Sequence, residues 1–324
     1  MSQITEELNE ALKNLNDKIE FDNINKSAKN ISNRYRANKN DGKRLVTEYS
    51  EAVSYAFARM PSTYEAVHKA LEKTFEINSF KIDTILDIGA GTGTATWACY
   101  DVLGKKIYTC AERESTMLSI GKELMKNNEI LKNTEWKKID IANNDINVKA
   151  DLVVTSYMIN ELSKEEVESV ALKLWNATNK VLLIIEPGTP HGFSNIKNIR
   201  NIIINNGGNI IAPCTHQNEC PLPHSDWCSF SCRVQRSRTQ RILKEGTMSY
   251  EDEKFSYIAF SKQSAQMVEN RILRHPVINK GYSEYKVCTR EGIKNIRLSK
   301  KDGLVYKNAK KKNSGDNLNL EITI

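Results

Sequence analysis

No apolar stretch in the 324 residues approaches the roughly 20 needed to cross a bilayer, so a membrane-spanning helix is excluded and no membrane partner is expected. The opening segment, MSQITEELNEALKNL, has acids where a secretory or organellar targeting peptide would be basic, which predicts a cytoplasmic protein. In that reducing setting structural disulfides are not expected among the 7 cysteines. The 40% hydrophobic content is ample for a core and excludes wholesale disorder. The length suits one large or two modest domains, and a monomer is expected.

Charge is informative once it is located. Lys and Arg number 47 against 40 acids. Residues 1–232 hold 27 basic and 30 acidic side chains, whereas residues 233–312 hold 20 and 8. The positive excess therefore sits in the C-terminal third, where it would attract a polyanion, nucleic acid being the commonest large one. A compositional bias toward Lys would have raised it everywhere.

Residues 1–77 read as a helical region. Ile4, Leu8, Leu12 and Leu15 form one apolar stripe, and a polar break follows at Asn33–Arg44. A second stripe runs from Leu45 to Met60, and Pro61 is expected to restart a helix. From 78 to 262 the pattern alternates. Short β-branched runs at Thr84–Ile88, Ile107–Cys110, Trp136–Ile139, Leu152–Ser156, Val181–Ile185, Asn209–Ala212 and Lys254–Phe260 are mostly separated by helical stretches. That alternation predicts an α/β fold with a doubly wound, Rossmann-like sheet. Residues 263–312 read as a small basic β appendage without helices, and 313–324 as a frayed tail.

The first strand ends in Asp87 and runs into Gly89, Gly91 and Gly93 before a helix. Glycine at every second position lets the backbone turn sharply and approach a ligand, while the helix start offers free N–H groups. A nicotinamide loop is the competing reading, but the third glycine is not in the dinucleotide position. D-x-G-x-G-x-G resembles the first motif of class I S-adenosylmethionine-dependent methyltransferases. The resemblance implies that Glu112, ending the second strand, accepts from the ribose hydroxyls. It likewise sets Asp140, ending the third, near the adenine amine and Asp87 near the ligand ammonium. The segment after the fourth strand, Thr155–Leu162, lacks the Asn/Asp-Pro-Pro-aromatic motif of amino-methylating enzymes, and no Pro-Cys pair offers a covalent route. No catalytic residue is named.

Cys214, Cys220 and Cys228 share one Pro-rich, irregular segment within 213–232, and three thiolates need a fourth ligand. Cys288 in the appendage can supply it, with His216, His224 and Cys232 as alternatives. Four sulfur ligands suit zinc or an iron–sulfur cluster. The two C-x2-4-C pairs usual in zinc sites are not both present, which favours a cluster, and no C-x3-C-x2-C run marks a radical enzyme. Directly after this loop, Arg233, Arg236, Arg238 and Arg241 are candidates for phosphate contact, against the plainer reading of a solvated helix face.

Taken together, Met60–Tyr64, Leu86–Gly93, Ser156–Leu162, Glu186–Phe193, Ala212–Cys214, Cys220–Leu222, Asp226–Phe230 and Glu251–Tyr257 make the chain similar to the ribosomal small-subunit methyltransferase-like family, comprising mitochondrial small-subunit assembly factors and their bacterial relatives. The resemblance implies a [4Fe–4S] cluster on Cys214, Cys220, Cys228 and Cys288, S-adenosylmethionine at the glycine loop, and association with small-subunit ribosomal RNA. It leaves three functions in play: an rRNA methyltransferase, a non-catalytic assembly factor, and a zinc-stapled methyltransferase with another acceptor.

Overall fold

A computed structural model describes residues 5–16, 27, 46, 48–244 and 246–320. Most of the β-branched runs become strands because they can bury both faces at once, the edge strand at Glu135–Lys138 excepted. In β1 (Thr84–Ile88), Ile85 joins one apolar cluster while Leu86 and Ile88 join the cluster on the opposite side. Along β5 (Thr178–Pro187), Val181, Leu183 and Ile185 alternate in the same way with Leu182 and Ile184. With β2 (Ile107–Glu112), β3 (Glu135–Lys138) and β4 (Ala150–Ser156), these strands run parallel in the order β3-β2-β1-β4-β5.

Beyond β5 lies the antiparallel β8 (Tyr250–Ser261), then β6 (Asn209–Ala212). One antiparallel strand next to β5 completes the Rossmann-like methyltransferase sheet expected from the sequence. The N-terminal half of β8 pairs with β7 (Phe230–Gln235), a strand the sequence reading missed because it is a polar edge carrying Arg233. Phe230 and Val234 of β7 are buried, and Cys232 on the same face packs against the core.

Helix α1 (Glu6–Asn16) lays Leu8, Leu12 and Leu15 into the first cluster. Helix α2 (Tyr49–Thr74) passes through Pro61 without a break, correcting the expected restart. Proline costs such a helix about 3 kcal/mol. Fully buried Val53, Met60, Val67 and Leu71 each return about 1.5–3 kcal/mol, so packing outweighs the missing bond. The polar break at Asn33–Arg44 lies outside the described residues. Helices α3 (Thr94–Leu103) and α4 (Ser115–Met125) cover the same face as α2, while α5 (Lys164–Ala177) and α6 (Pro190–Asn205) cover the other.

A second sheet combines β10 (Val277–Asn279), β11 (Tyr282–Thr289) and β12 (Gly292–Ser299), with β9 (Arg271–Ile272) pairing on β11. Its core of Ile272, Tyr285, Val287 and Leu298 also takes Tyr306 and Ala309 from a helix the sequence reading did not expect. After α7 (Arg238–Leu243), that helix is α8 (Gly303–Ala309). Nor do residues 313–318 fray. Leu318 is buried in this core, its N–H donates to Asn270 O, and Asp316 pairs with Lys73 at 2.8 Å. A short polar segment held by one apolar anchor leaves no periodic signature.

Candidate functional site

The glycine loop turns because three residues take the left-handed region, with φ of 67° at Gly89, 56° at Gly91 and 82° at Gly93. It is pinned from the next strand. Glu112, buried at the end of β2, accepts from Gly91 N–H and from Glu114 N–H, both at 2.7 Å. Burial pushes its carboxyl above the usual range, against those two bonds. Gly89, Gly91, Glu112 and Asp140 line one pocket at the carboxyl ends of β1, β2 and β4. Asp140 accepts from Ala142 N–H at 3.2 Å and from the Asn143 amide at 3.1 Å.

Two expected residues stand back from this pocket. Gly93 precedes α3 and meets Met125 and Trp136 instead. Asp87 is fully buried, its Oδ2 accepting from Thr96 N–H at 3.0 Å and Thr96 Oγ1–H at 2.9 Å. Its Oδ1 has no partner among the described residues, and burial pushes the carboxyl up to about 7.

Sequence reasoning did not anticipate Tyr157, which lines the same pocket immediately after β4. It is the one non-glycine residue at positive φ (60°) among those described, and its hydroxyl donates to Glu253 Oε1 at 2.8 Å. Burial raises the phenol far above its ordinary range. Tyr55 of α2 closes the pocket from above the sheet, and Arg113 pairs with Glu161 at 3.2 Å on its lining.

A second pocket gathers Cys214, Cys220 and Cys228 of the β6–β7 loop with Cys288 of β11. The loop therefore meets the small sheet through the residues the spacing singled out. Thr215 Oγ1–H reaches Cys288 Sγ at 3.7 Å, and His216 Nε2 lies 4.0 Å from it. Burial raises the Cys228 thiol well above its ordinary range, and Cys214, Cys220 and Cys288 add to the rise. Burial likewise lifts Cys288, to about 11. Among the described residues, no three His, Cys, Asp or Glu side chains are gathered closely enough to hold a single metal ion. Cys232 sits elsewhere on β7, reaching Glu253 O at 3.9 Å.

Two buried arginines, Arg200 of α6 and Arg271 of β9, line the cysteine pocket and were also missed. A signal for the first was present: Arg200 follows Ile196 by one helical turn on the stripe that includes Ile199 and Ile203, a charge where an apolar residue belongs. Of the four arginines after the loop, Arg233 forks onto Asp252 at 2.9 and 3.2 Å, and Arg236 onto Glu251 at 2.7 and 3.2 Å. Arg238 and Arg241 are exposed on α7.

Among solved structures, the chain is similar to magnesium protoporphyrin IX methyltransferase from Synechocystis PCC 6803, with 12% identity, 72% of this chain and 93% of that one covered, and a TM-score of 0.41. It is also similar to the N-methyltransferase NodS from Bradyrhizobium japonicum, with 11% identity, coverage of 65% and 92%, and a TM-score of 0.43. The human mitochondrial ribosome assembly protein METTL17 is 29% identical over 203 residues, which is 56% of this chain. The match spans 44% of that protein, so the chain covers less than half the length of its relative. The cytoplasmic placement is overturned here, since the family description and the human relative are both mitochondrial. That expectation rested on charge in an opening segment, a property of a removable address and not of a folded domain. With residues 49–319 matching its description from the start of α2 to the tail, the chain belongs to the mitochondrial small ribosomal subunit Rsm22 family.

Proposed function

We propose that this protein binds S-adenosylmethionine at the glycine loop, holds a sulfur-ligated metal centre on Cys214, Cys220, Cys228 and Cys288, and serves assembly of the small ribosomal subunit through its RNA. The observation that carries the reading is the meeting of four cysteines in one pocket, the last of them on a different sheet and 60 residues beyond the third. Four thiols in one pocket are the donor set of zinc or of an iron–sulfur cluster. A single zinc, at about 2.3 Å from each sulfur, needs the four drawn within about 4 Å of one another. A four-iron cluster offers each thiolate its own iron and so accepts a wider set of sulfur positions. When bound, the centre would tie the β6–β7 loop to β11 and so couple metal binding to folding.

The assembly role is favoured over methyl transfer by the residues after β4. Thr155–Leu162 carries no Asn/Asp-Pro-Pro-aromatic acceptor motif, and the hydroxyl of Tyr157 within it is already committed to Glu253. The ribosomal partner is carried over from the human assembly protein and the family description. Arg238 and Arg241 are the better placed of the four arginines for phosphate, because Arg233 and Arg236 already hold carboxylates.

Purification without oxygen tests the central claim. Iron near four atoms per chain with broad visible absorbance is expected from a four-iron centre, and Cys228→Ser should lose both and melt lower. Colourless protein with neither iron nor zinc would reject the centre. Crosslinking to ribosomal RNA, paired with modification mapping in a deletion strain, separates assembly from catalysis: bound RNA with no lost methyl group selects assembly.

A further inference from the structure

We propose that Arg200 and Arg271 are the counter-charges of the sulfur-ligated centre and that their positive charge sets how firmly the pocket retains metal. This rests on the centre proposed above. Arg271 is 1% exposed and Arg200 4% exposed, and both line the pocket with the four cysteines. A guanidinium stays protonated even when buried, so each brings a full charge into the interior. Such a charge is tolerated only when paired and hydrogen-bonded.

The pairing inside the protein is incomplete. Arg271 donates through Nε to Pro213 O at 3.1 Å, and through Nη1 to Gly315 O at 2.7 Å and the Glu76 carboxylate at 2.9 Å. Its Nη2 has no partner among the described residues. Arg200 donates through Nη2 to His216 O at 3.3 Å and to Asn218 O. Its Nε is unpartnered, and no carboxylate pairs with it among the described residues. One buried positive charge is thus left without a carboxylate, together with two guanidinium nitrogens that have no partner among the described residues.

A centre on four thiolates supplies what is missing. A zinc ion or an oxidised four-iron core each carries two positive charges, so four thiolates leave two net negative charges. Donor groups around ligating sulfurs are a known means of tuning such centres. Three of the four carbonyls that anchor the arginines belong to Pro213, His216 and Asn218, in the loop that also carries Cys214 and Cys220. Charge and ligand loop are therefore built as one unit.

The test is an Arg200 series in the full chain, purified without oxygen: Arg200→Lys, Arg200→Gln and Arg200→Met. Iron and zinc per chain are measured, then the rate of metal loss to excess chelator. Lys keeps the charge and is expected to lose metal within about threefold of the parent rate. Gln and Met remove it and are expected to lose metal at least tenfold faster. Gln can still donate to the loop carbonyls, so it carries the test if Met does not fold. Lys behaving like Gln would assign the effect to fork geometry and overturn the proposal, as would all three retaining metal like the parent. A parent chain holding neither iron nor zinc would instead fail the centre itself, a result visible before any variant is made.

Discussion

Asp87→Asn separates two demands on the residue that begins the glycine loop. The carboxyl is fully buried, with two bonds from Thr96 on Oδ2 and none on Oδ1 among the described residues. Burial is the largest cause of its rise from 3.8 to about 7, with Glu112 adding to it and the Thr96 bonds opposing it. The folded state therefore prefers the neutral acid more than the unfolded chain does. Stability from this group is complete below the unfolded pKa and is lost as pH rises through the folded one. Between pH 5 and pH 8 the loss comes to about 2.5 kcal/mol, at 1.36 kcal/mol per unit. Asparagine cannot ionise and keeps an acceptor for Thr96. Urea unfolding at the two pH values should show the parent-minus-variant difference shifting by about that amount in favour of the variant. Calorimetry with S-adenosylmethionine at pH 8 should show affinity little changed, because Asp87 stands back from the pocket lining. A difference in stability that does not change with pH would refute the buried-acid reasoning, whatever the binding result.

Gly91→Asp forces a side chain onto φ 56° and places a carboxylate against the loop that Glu112 already grips; S-adenosylmethionine binding should fall below detection in calorimetry, and unchanged affinity would remove the pocket assignment. Arg238→Glu with Arg241→Glu should weaken RNA binding and flatten the plot of log affinity against log salt, whereas Arg233→Gln should change it less because Asp252 already holds that fork. Equal effects from the two would mean that the carboxylates do not compete with phosphate.

The sheet was legible because its strands obey one rule. Apolar residues buried on both faces make runs that stand out from the helical period on either side, and β1 and β6 begin and end where their residues indicate. The glycine loop was legible because a tight backbone turn demands glycine at positive φ, and the four cysteines singled out in the sequence line one pocket. What escaped is held by single contacts between distant segments. β7 exists because β8 offers it a partner, α2 survives Pro61 because the sheet lies beneath it, and α8 folds onto Tyr285 and Leu298. The phosphate reading of Arg233 and Arg236 ignored carboxylates across β8, which adjacency in sequence cannot reveal. Charge location identified a basic region correctly but not which of its members face outward.

The tail shows how such a contact reaches the cysteine pocket. Gly315 O accepts from Arg271 Nη1 at 2.7 Å, and Leu318 lies buried beside Ile272, the strand neighbour of that arginine. Arg271 thus depends on residues 313–318 for one of its acceptors, while Glu76 and Pro213 supply the others. Leu318→Ala removes a fully buried side chain at a cost of about 2–4 kcal/mol, and tests whether the backbone bonds to Ile272 and Asn270 and the Asp316–Lys73 pair hold the segment without it. If the segment lifts, Arg271 loses Gly315 O and its backing against the small sheet. The expected result is a lower melting temperature together with faster metal release to chelator, although the substituted residue is no part of the pocket. Leu320→Ala, at an exposed neighbouring position, is the control and should change neither. A lower melting temperature with metal retained at the parent rate would show that the tail stabilises the small sheet alone, and that Arg271 is held by Glu76 and Pro213 without it.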